Sequence, residues 1–185
     1  MKKKVISVIC ALLAIVLSTS TAFAGGSVKL GGSVKLSSET FSLGSLIANG
    51  TLTGLGNNDV TVVLDASGIP VITCTNPGSN DVPGHSSPKV SASGQQALPG
   101  NDPLRKNGKA LFTSETVDPA TIAWDAAGCP NSKWTARVDF IYWTSATISL
   151  YQGTDPNNLG NLIGSQKYTC TTTRFPANVS CIRAK

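Results

Sequence analysis

KWTARVDFIYW, residues 133–143, is the stretch on which the fold turns. Trp134, Ala136, Val138, Phe140 and Tyr142 fall at every second position, with Lys133, Thr135, Arg137 and Asp139 between them. A period of two is that of a β-strand, whose successive side chains point to opposite faces, whereas one face of a helix recurs every third or fourth residue. The alternation predicts a strand with the first set turned to a core and the second to water. Trp143 shares the phase of Ile141 and falls on the face opposite Trp134.

Working outward, the same signature recurs in short runs rich in Val, Ile, Thr and aromatic residues, bounded by Gly, Asn, Asp and Pro. ATISLYQ (146–152) follows a Thr144-Ser145 connection, and LIGSQKYTC (162–170) and NVSCI (178–182) come after it. Toward the N-terminus, VTVVLDASGIPVITC (60–74) reads as Val60–Leu64 and Val71–Cys74 joined by Asp65 to Gly68. SLIANGTLTG (45–54) places Asn49-Gly50 between apolar stretches, and both residues accept the positive φ of a two-residue hairpin turn. Asn107-Gly108 is a further turn signal before KALFTSET (109–116). From Asn76 to Pro103 the chain is dense in Gly, Pro, Ser and Asn, a length that calls for a functional loop or an ordered edge strand. About seven to nine short strands at this spacing predict an all-β chain folded as a two-sheet antiparallel β-sandwich of immunoglobulin-like architecture, with a jelly roll as the alternative.

The N-terminus reads as an export signal. Lys2, Lys3 and Lys4 precede an apolar run from Val5 to Leu17, and Ala22-Phe23-Ala24 supplies a small-residue cleavage pattern. The run is too short for a membrane span, which needs about 20 apolar residues. Residues 1–24 are therefore expected to be a secretory signal peptide of bacterial type, leaving a secreted chain without a membrane span; periplasm or cell surface is the alternative destination. GGSVKL then occurs twice without change, at 25–30 and 31–36. Six is an even number, so both copies carry the same strand phase. The second copy is expected to be the first strand and the first a flexible tail, ahead of a single domain over 37–185. The net charge of +5 falls to +2 without the three leader lysines. Arg105, Lys106 and Lys109 form the one tight basic cluster and lack interleaved aromatics, which argues against nucleic acid as a partner.

Beyond the leader, which contains Cys10, the cysteines are Cys74, Cys129, Cys170 and Cys181, an even set that reads as two disulfides in an exported protein. In KYTCTTTRFPANVSCI a turn at Phe175-Pro176 sets Cys170 opposite Cys181, which leaves Cys74 to Cys129. Zinc-ligand spacing is absent from the sequence, and no metal or cofactor is expected.

Catalytic motifs are weak. His85, in GHSSP, is the single histidine, and the G-x-S-x-G nucleophile elbow does not occur. Asp65, Asp125 and Asp139 each have an ordinary strand or turn role, and the only glutamates are Glu39 and Glu115. Asn57-Asn58-Asp59, Asn80-Asp81, Asn101-Asp102 and Asp155-Pro156-Asn157-Asn158 are oxygen-rich but lack the spacing of a calcium loop, and read as turns. Two sequons, at Asn49 and Asn178, are incidental in a bacterial chain. What remains are the tryptophans. Trp143 and Trp124 are the candidate ligand-binding residues, with Trp134 assigned to the core. A second reading buries Trp143 with Ile141 beneath the Asn76–Pro103 segment. The chain is thus expected to be an exported, noncatalytic binding or structural module for an extracellular ligand or surface, carbohydrate among the candidates. A secreted hydrolase, inhibitor or toxin is the alternative.

Overall fold

The computed structural model describes residues 29–38, 45–103, 105–116, 122–155, 157–174 and 177–185, excluding the side chains of 29–38 and of Ala177. The leader and the start of the first GGSVKL copy lie outside the described residues. Among the described residues nine strands succeed one another: β1 (Lys29–Ser38), β2 (Leu46–Thr53), β3 (Val60–Thr75), β4 (Asp81–Pro83), β5 (Val90–Leu98), β6 (Lys109–Glu115), β7 (Thr135–Gln152), β8 (Leu162–Arg174) and β9 (Ala177–Arg183). They form two antiparallel sheets, β1-β2-β6 and β4-β3-β7-β8-β9, with β5 also paired to β3. No helix occurs among the described residues.

The centre of the larger sheet is the pairing of β3 with β7, which runs from Val60↔Gln152 to Thr75↔Thr135. Both strands are longer than the sequence reading makes them. Asp65 to Gly68 is not a connection: Asp65 pairs with Thr147 on one side and Ser93 on the other, and its Oδ1 accepts from Ser93 Oγ at 2.6 Å. Nor do Thr144 and Ser145 join two strands, because β7 passes straight through them. Asn49-Gly50 likewise lies inside β2, paired to Thr113 and Phe112. In each case pairing along both edges of a strand overrides the local turn preference. Asn107-Gly108 does turn, with φ of 53° and 68°, and Lys106 and Lys109 exchange backbone hydrogen bonds across it.

β7 also departs from simple alternation. Its pairing with β3 slips by one residue at two places, leaving Asp139 and Thr144 without an opposing residue. Each is a β-bulge, and each extra residue inverts the inward phase of the next part of the strand. Trp134, Ala136 and Val138 point toward the interior; after Asp139 it is Ile141 and Trp143 that are buried; after Thr144 it is Ala146, Ile148 and Leu150. Phe140 and Tyr142 therefore do not face the core, contrary to the alternation read from 133–143. β3 keeps one phase throughout, with Val62, Leu64, Ala66, Ile72 and Cys74 all buried.

The main core lies between the sheets and is lined by Leu46, Leu52, Leu64, Phe112, Ile141, Trp143, Ile148 and Leu150 among others. A satellite cluster of Ile72, Cys74, Ala127 and Cys129 packs with Trp134 and Ala136 at one end. The sheets also meet along both sides. β5 lies beside β6, where a Cβ on Gly94 would come within 1.6 Å of the Glu115 carbonyl oxygen, so only glycine fits. β1 lies beside β9. The Asn76–Pro103 segment supplies β4 and β5 to the edge of β3.

β1 corrects the reading of the duplication. Lys29 and Leu30 of the first copy pair with Thr53 and Leu52, as Lys35 and Leu36 of the second pair with Asn49 and Ala48. The first copy is thus not wholly a tail. An irregularity between Gly31 and Lys35 absorbs the excess length between the two equivalent pairings.

Disulfides join Cys74 to Cys129 and Cys170 to Cys181, the pairs read from the sequence. The second connects directly opposed residues of β8 and β9. Neither crosses from one sheet to the other.

Two deletions test the register of β7. Deleting Asp139 leaves Val138 and Phe140 adjacent, as their partners Ile72 and Val71 already are, so the variant should fold with a loss of about 1–3 kcal/mol in urea denaturation. Deleting Ser149 sets Ile148 and Leu150 on opposite faces and should abolish cooperative unfolding. For the disulfides, closures of 55 and 11 residues are worth about 4 and about 3 kcal/mol respectively. The Cys74→Ser/Cys129→Ser pair should accordingly lower the melting temperature more than Cys170→Ser/Cys181→Ser.

Candidate functional site

The bulges at Asp139 and Thr144 bracket four residues, and the device that sends Ile141 and Trp143 inward sends Phe140 and Tyr142 out. On the outer face of the larger sheet Tyr142 stands opposite Ile69 and Phe140 opposite Val71. The two rings meet edge to face, with centroids 5.1 Å apart and planes at 80°. Ile69 is 47% exposed, and the two aromatic residues and Val71 are partly so. Exposed Thr169, Thr171 and Thr173 lie along β8.

One end of this patch is fixed by polar contacts. Asp139 accepts from Thr73 Oγ1 and from Arg137 Nε, the latter at 2.8 Å, and Arg137 also lies 3.6 Å from Asp81. Burial raises the Asp139 pKa, but hydrogen bonds from Thr73 and Arg137, with the charges of Arg137 and Arg174, outweigh it and hold the carboxyl below its ordinary value. The bulge residue thus remains an anion tied to β3 and to its own strand. Thr144 Oγ1 in turn donates to the Ser67 carbonyl at 3.1 Å.

Trp143 is not on this surface. It is 1% exposed in the main core, with its carbonyl accepting from Thr172 Oγ1 at 3.0 Å. Gly68 opposite it leaves room: a Cβ there would approach Ile141 Cγ2 to 2.5 Å and Trp143 Cα to 3.1 Å. The ring therefore offers no platform to a ligand, and it belongs to the principal core rather than a minor one. Trp124 is 37% exposed on the connection before β7. That connection is held by the Cys74–Cys129 bridge, by Cys129 N donating to Trp124 O at 2.8 Å, and by Ser86 N donating to Ala127 O at 3.1 Å. An exposed indole on a stapled segment is preorganised for contact.

The other sequence candidates are dispersed. Asp65 lies within β3, Asp125 caps its own turn through Ala126 N at 2.8 Å, and Asp139 is engaged as above. His85 is exposed, and its backbone abuts Gly128. The oxygen-rich loops form turns: Asn58 N donates to Leu55 O, Ser79 N to Asn76 O, and Asn158 N to Asp155 O. Among the described residues no three His, Cys, Asp or Glu side chains gather where they could hold a metal ion.

The sequence reading misses Phe140 and Tyr142 because it continues one phase through Asp139. A signal is present: the inward residues Val138 and Ile141, and again Trp143 and Ala146, are three apart where a strand demands two.

Comparison of the chain with protein families, with curated proteins and with solved structures finds no match.

The burial of Trp143 has a measurable consequence. Trp143→Ala should cost about 3–5 kcal/mol in chemical denaturation, as for other large core truncations, whereas truncating Trp124, 37% exposed, should cost less, about 1–2 kcal/mol.

Proposed function

We propose that this chain is an exported, noncatalytic binding module that engages an extracellular ligand or surface through the outer face of its larger sheet. The observation that carries the reading is the patch of Ile69, Val71, Phe140 and Tyr142 on the outer face of the larger sheet, where the bulge at Asp139 directs both rings. Placing apolar rings in water is unfavourable unless something covers them. Carbohydrate is the ligand class that suits the patch best, because aromatic rings pack against sugar C–H faces while the threonine hydroxyls of β8 meet sugar hydroxyls. Trp124 is a second contact residue on this reading.

Two intramolecular disulfides suit an oxidising, extracytoplasmic environment. The lysine-led apolar leader supports secretion, with residues 1–24 removed and a single domain after the duplicated segment. The immunoglobulin-like kinship of the sandwich is part of the same proposal; it is supported by two antiparallel sheets with connections crossing between them.

The test is retention on insoluble polysaccharides and envelope fractions. Phe140→Ala/Tyr142→Ala should weaken retention by about tenfold or more, a loss of roughly 1.4 kcal/mol, with the melting transition preserved. Retention equal to that of the wild type would move the site off this face. Hydrolysis of a retained polysaccharide by the wild type would favour the secreted hydrolase instead.

A further inference from the structure

At the opposite end of β7 from the satellite cluster, the connections β2–β3 and β5–β6 enclose an open cavity of about 540 Å³, lined by Asn57, Asp59, Pro99, Gly100 and Asn101. It is open to solvent, and Asn57, Asp59, Pro99 and Asn101 are all exposed. Its walls are held by contacts between the connections. Asp59 Oδ1 accepts from Gly100 N at 2.6 Å, and Arg105 donates through Nη1 to Asn58 O at 2.7 Å and through Nη2 to Leu98 O at 2.8 Å. The β7–β8 connection joins them: Gly153 N donates to Asp59 O at 2.9 Å, and Thr61 Oγ1 donates to Gly153 O at 2.7 Å. Gly100 packs so close to Asn57 that a Cβ would lie 1.9 Å from the Asn57 carbonyl oxygen. A depression of mixed polar and apolar lining held this rigidly loses little entropy when it receives a ligand.

The electrostatics select the ligand. A hard cation is held by a gathering of charged oxygens, but among the described residues no three His, Cys, Asp or Glu side chains gather here, and the one carboxylate of the lining interacts with the charge of Arg105. An anion meets Asp59 first, while two arms of the Arg105 guanidinium are committed to backbone carbonyls. A wholly apolar ligand would leave the Asp59 carboxylate and both asparagine amides without partners. What fits is a neutral molecule rich in hydroxyls, since each hydroxyl both donates and accepts, the carboxylate accepts, and each asparagine amide does both.

We infer that the Asn57–Asp59–Asn101 cavity binds a neutral sugar, with Asp59 accepting from adjacent hydroxyls, Asn57 and Asn101 bridging the others, and Pro99 against the apolar edge of the sugar ring. The site is separate from the Phe140–Tyr142 face and stands whether or not that face binds.

Saturation-transfer NMR on the oxidised protein, with neutral disaccharides of glucose, galactose, mannose and N-acetylglucosamine as probes, tests it. At least one probe should bind wild type. Asp59→Asn preserves an acceptor for Gly100 N but removes the charged one, so affinity should fall about tenfold or more. Asn101→Ala should weaken binding in the same direction, and both losses should persist in the Phe140→Ala/Tyr142→Ala background, which removes any contribution of the aromatic face. Dispersed amide spectra establish that each variant is folded. Absence of binding by wild type, binding unaffected by Asp59→Asn and Asn101→Ala, or loss only with the aromatic variant each overturns the inference. So does calcium binding, measured by titration with the metal alone, that disappears in Asp59→Asn.

Discussion

The long antiparallel contact between β3 and β7 is the constraint on which the rest of the molecule depends. Each strand serves as the other's partner over its full length, and every other strand of the larger sheet is built outward from one of their outer edges. Because β3 holds a single phase, it dictates which residues of β7 face inward. β7 meets that demand with two extra residues instead of with perfect alternation. The interior is apolar along the whole contact, and the cost is two local breaks in the hydrogen-bond ladder. Both breaks are compensated by side chains, Asp139 toward Thr73 and Arg137, and Thr144 toward Ser67.

This arrangement explains what can be read in the chain. Strand character in β3, β7, β8 and β9 is visible in residue type, and the disulfide pairing comes from the turn that sets β8 against β9. The bounds of β3 and β7 are not visible. Asp65, Ser67 and Gly68 are turn formers in isolation, yet here they occupy a central strand whose outer face meets water. Asn49-Gly50 has the composition of a hairpin turn and the pairing of a strand interior. In each case the deciding partners lie far away in sequence, where a local window does not reach. Which face of 133–143 is the core is hidden for a related reason: alternation defines two faces but does not count an unpaired residue.

The candidate sites differ in legibility on the same grounds. Trp143 stands out in the sequence as the residue out of phase, and it is the phase that the bulge corrects, so the ring ends in the core. Phe140 and Tyr142 resemble core residues because they share the phase of Trp134. The polar cavity is present in sequence only as turn formers. Its significance comes from connections some forty residues apart in sequence, which meet through hydrogen bonds from Gly100 to Asp59 and from Arg105 to Asn58. Trp124 is conspicuous by its residue type, and the bridge from Cys74 to Cys129 gives its segment a fixed position.

The β3–β7 contact also has a temporal consequence. Thr61 and Gly153, joined by a hydrogen bond, are 92 residues apart, so neither central strand has its principal partner until most of the chain is available. Topologies dominated by such distant pairings fold on a scale of milliseconds to seconds, slower than helical proteins of similar size. On the proposed route of export through a translocation channel, slow folding is an advantage. The polypeptide would stay threadable while it crosses, and its cysteines would pair only on the oxidising side.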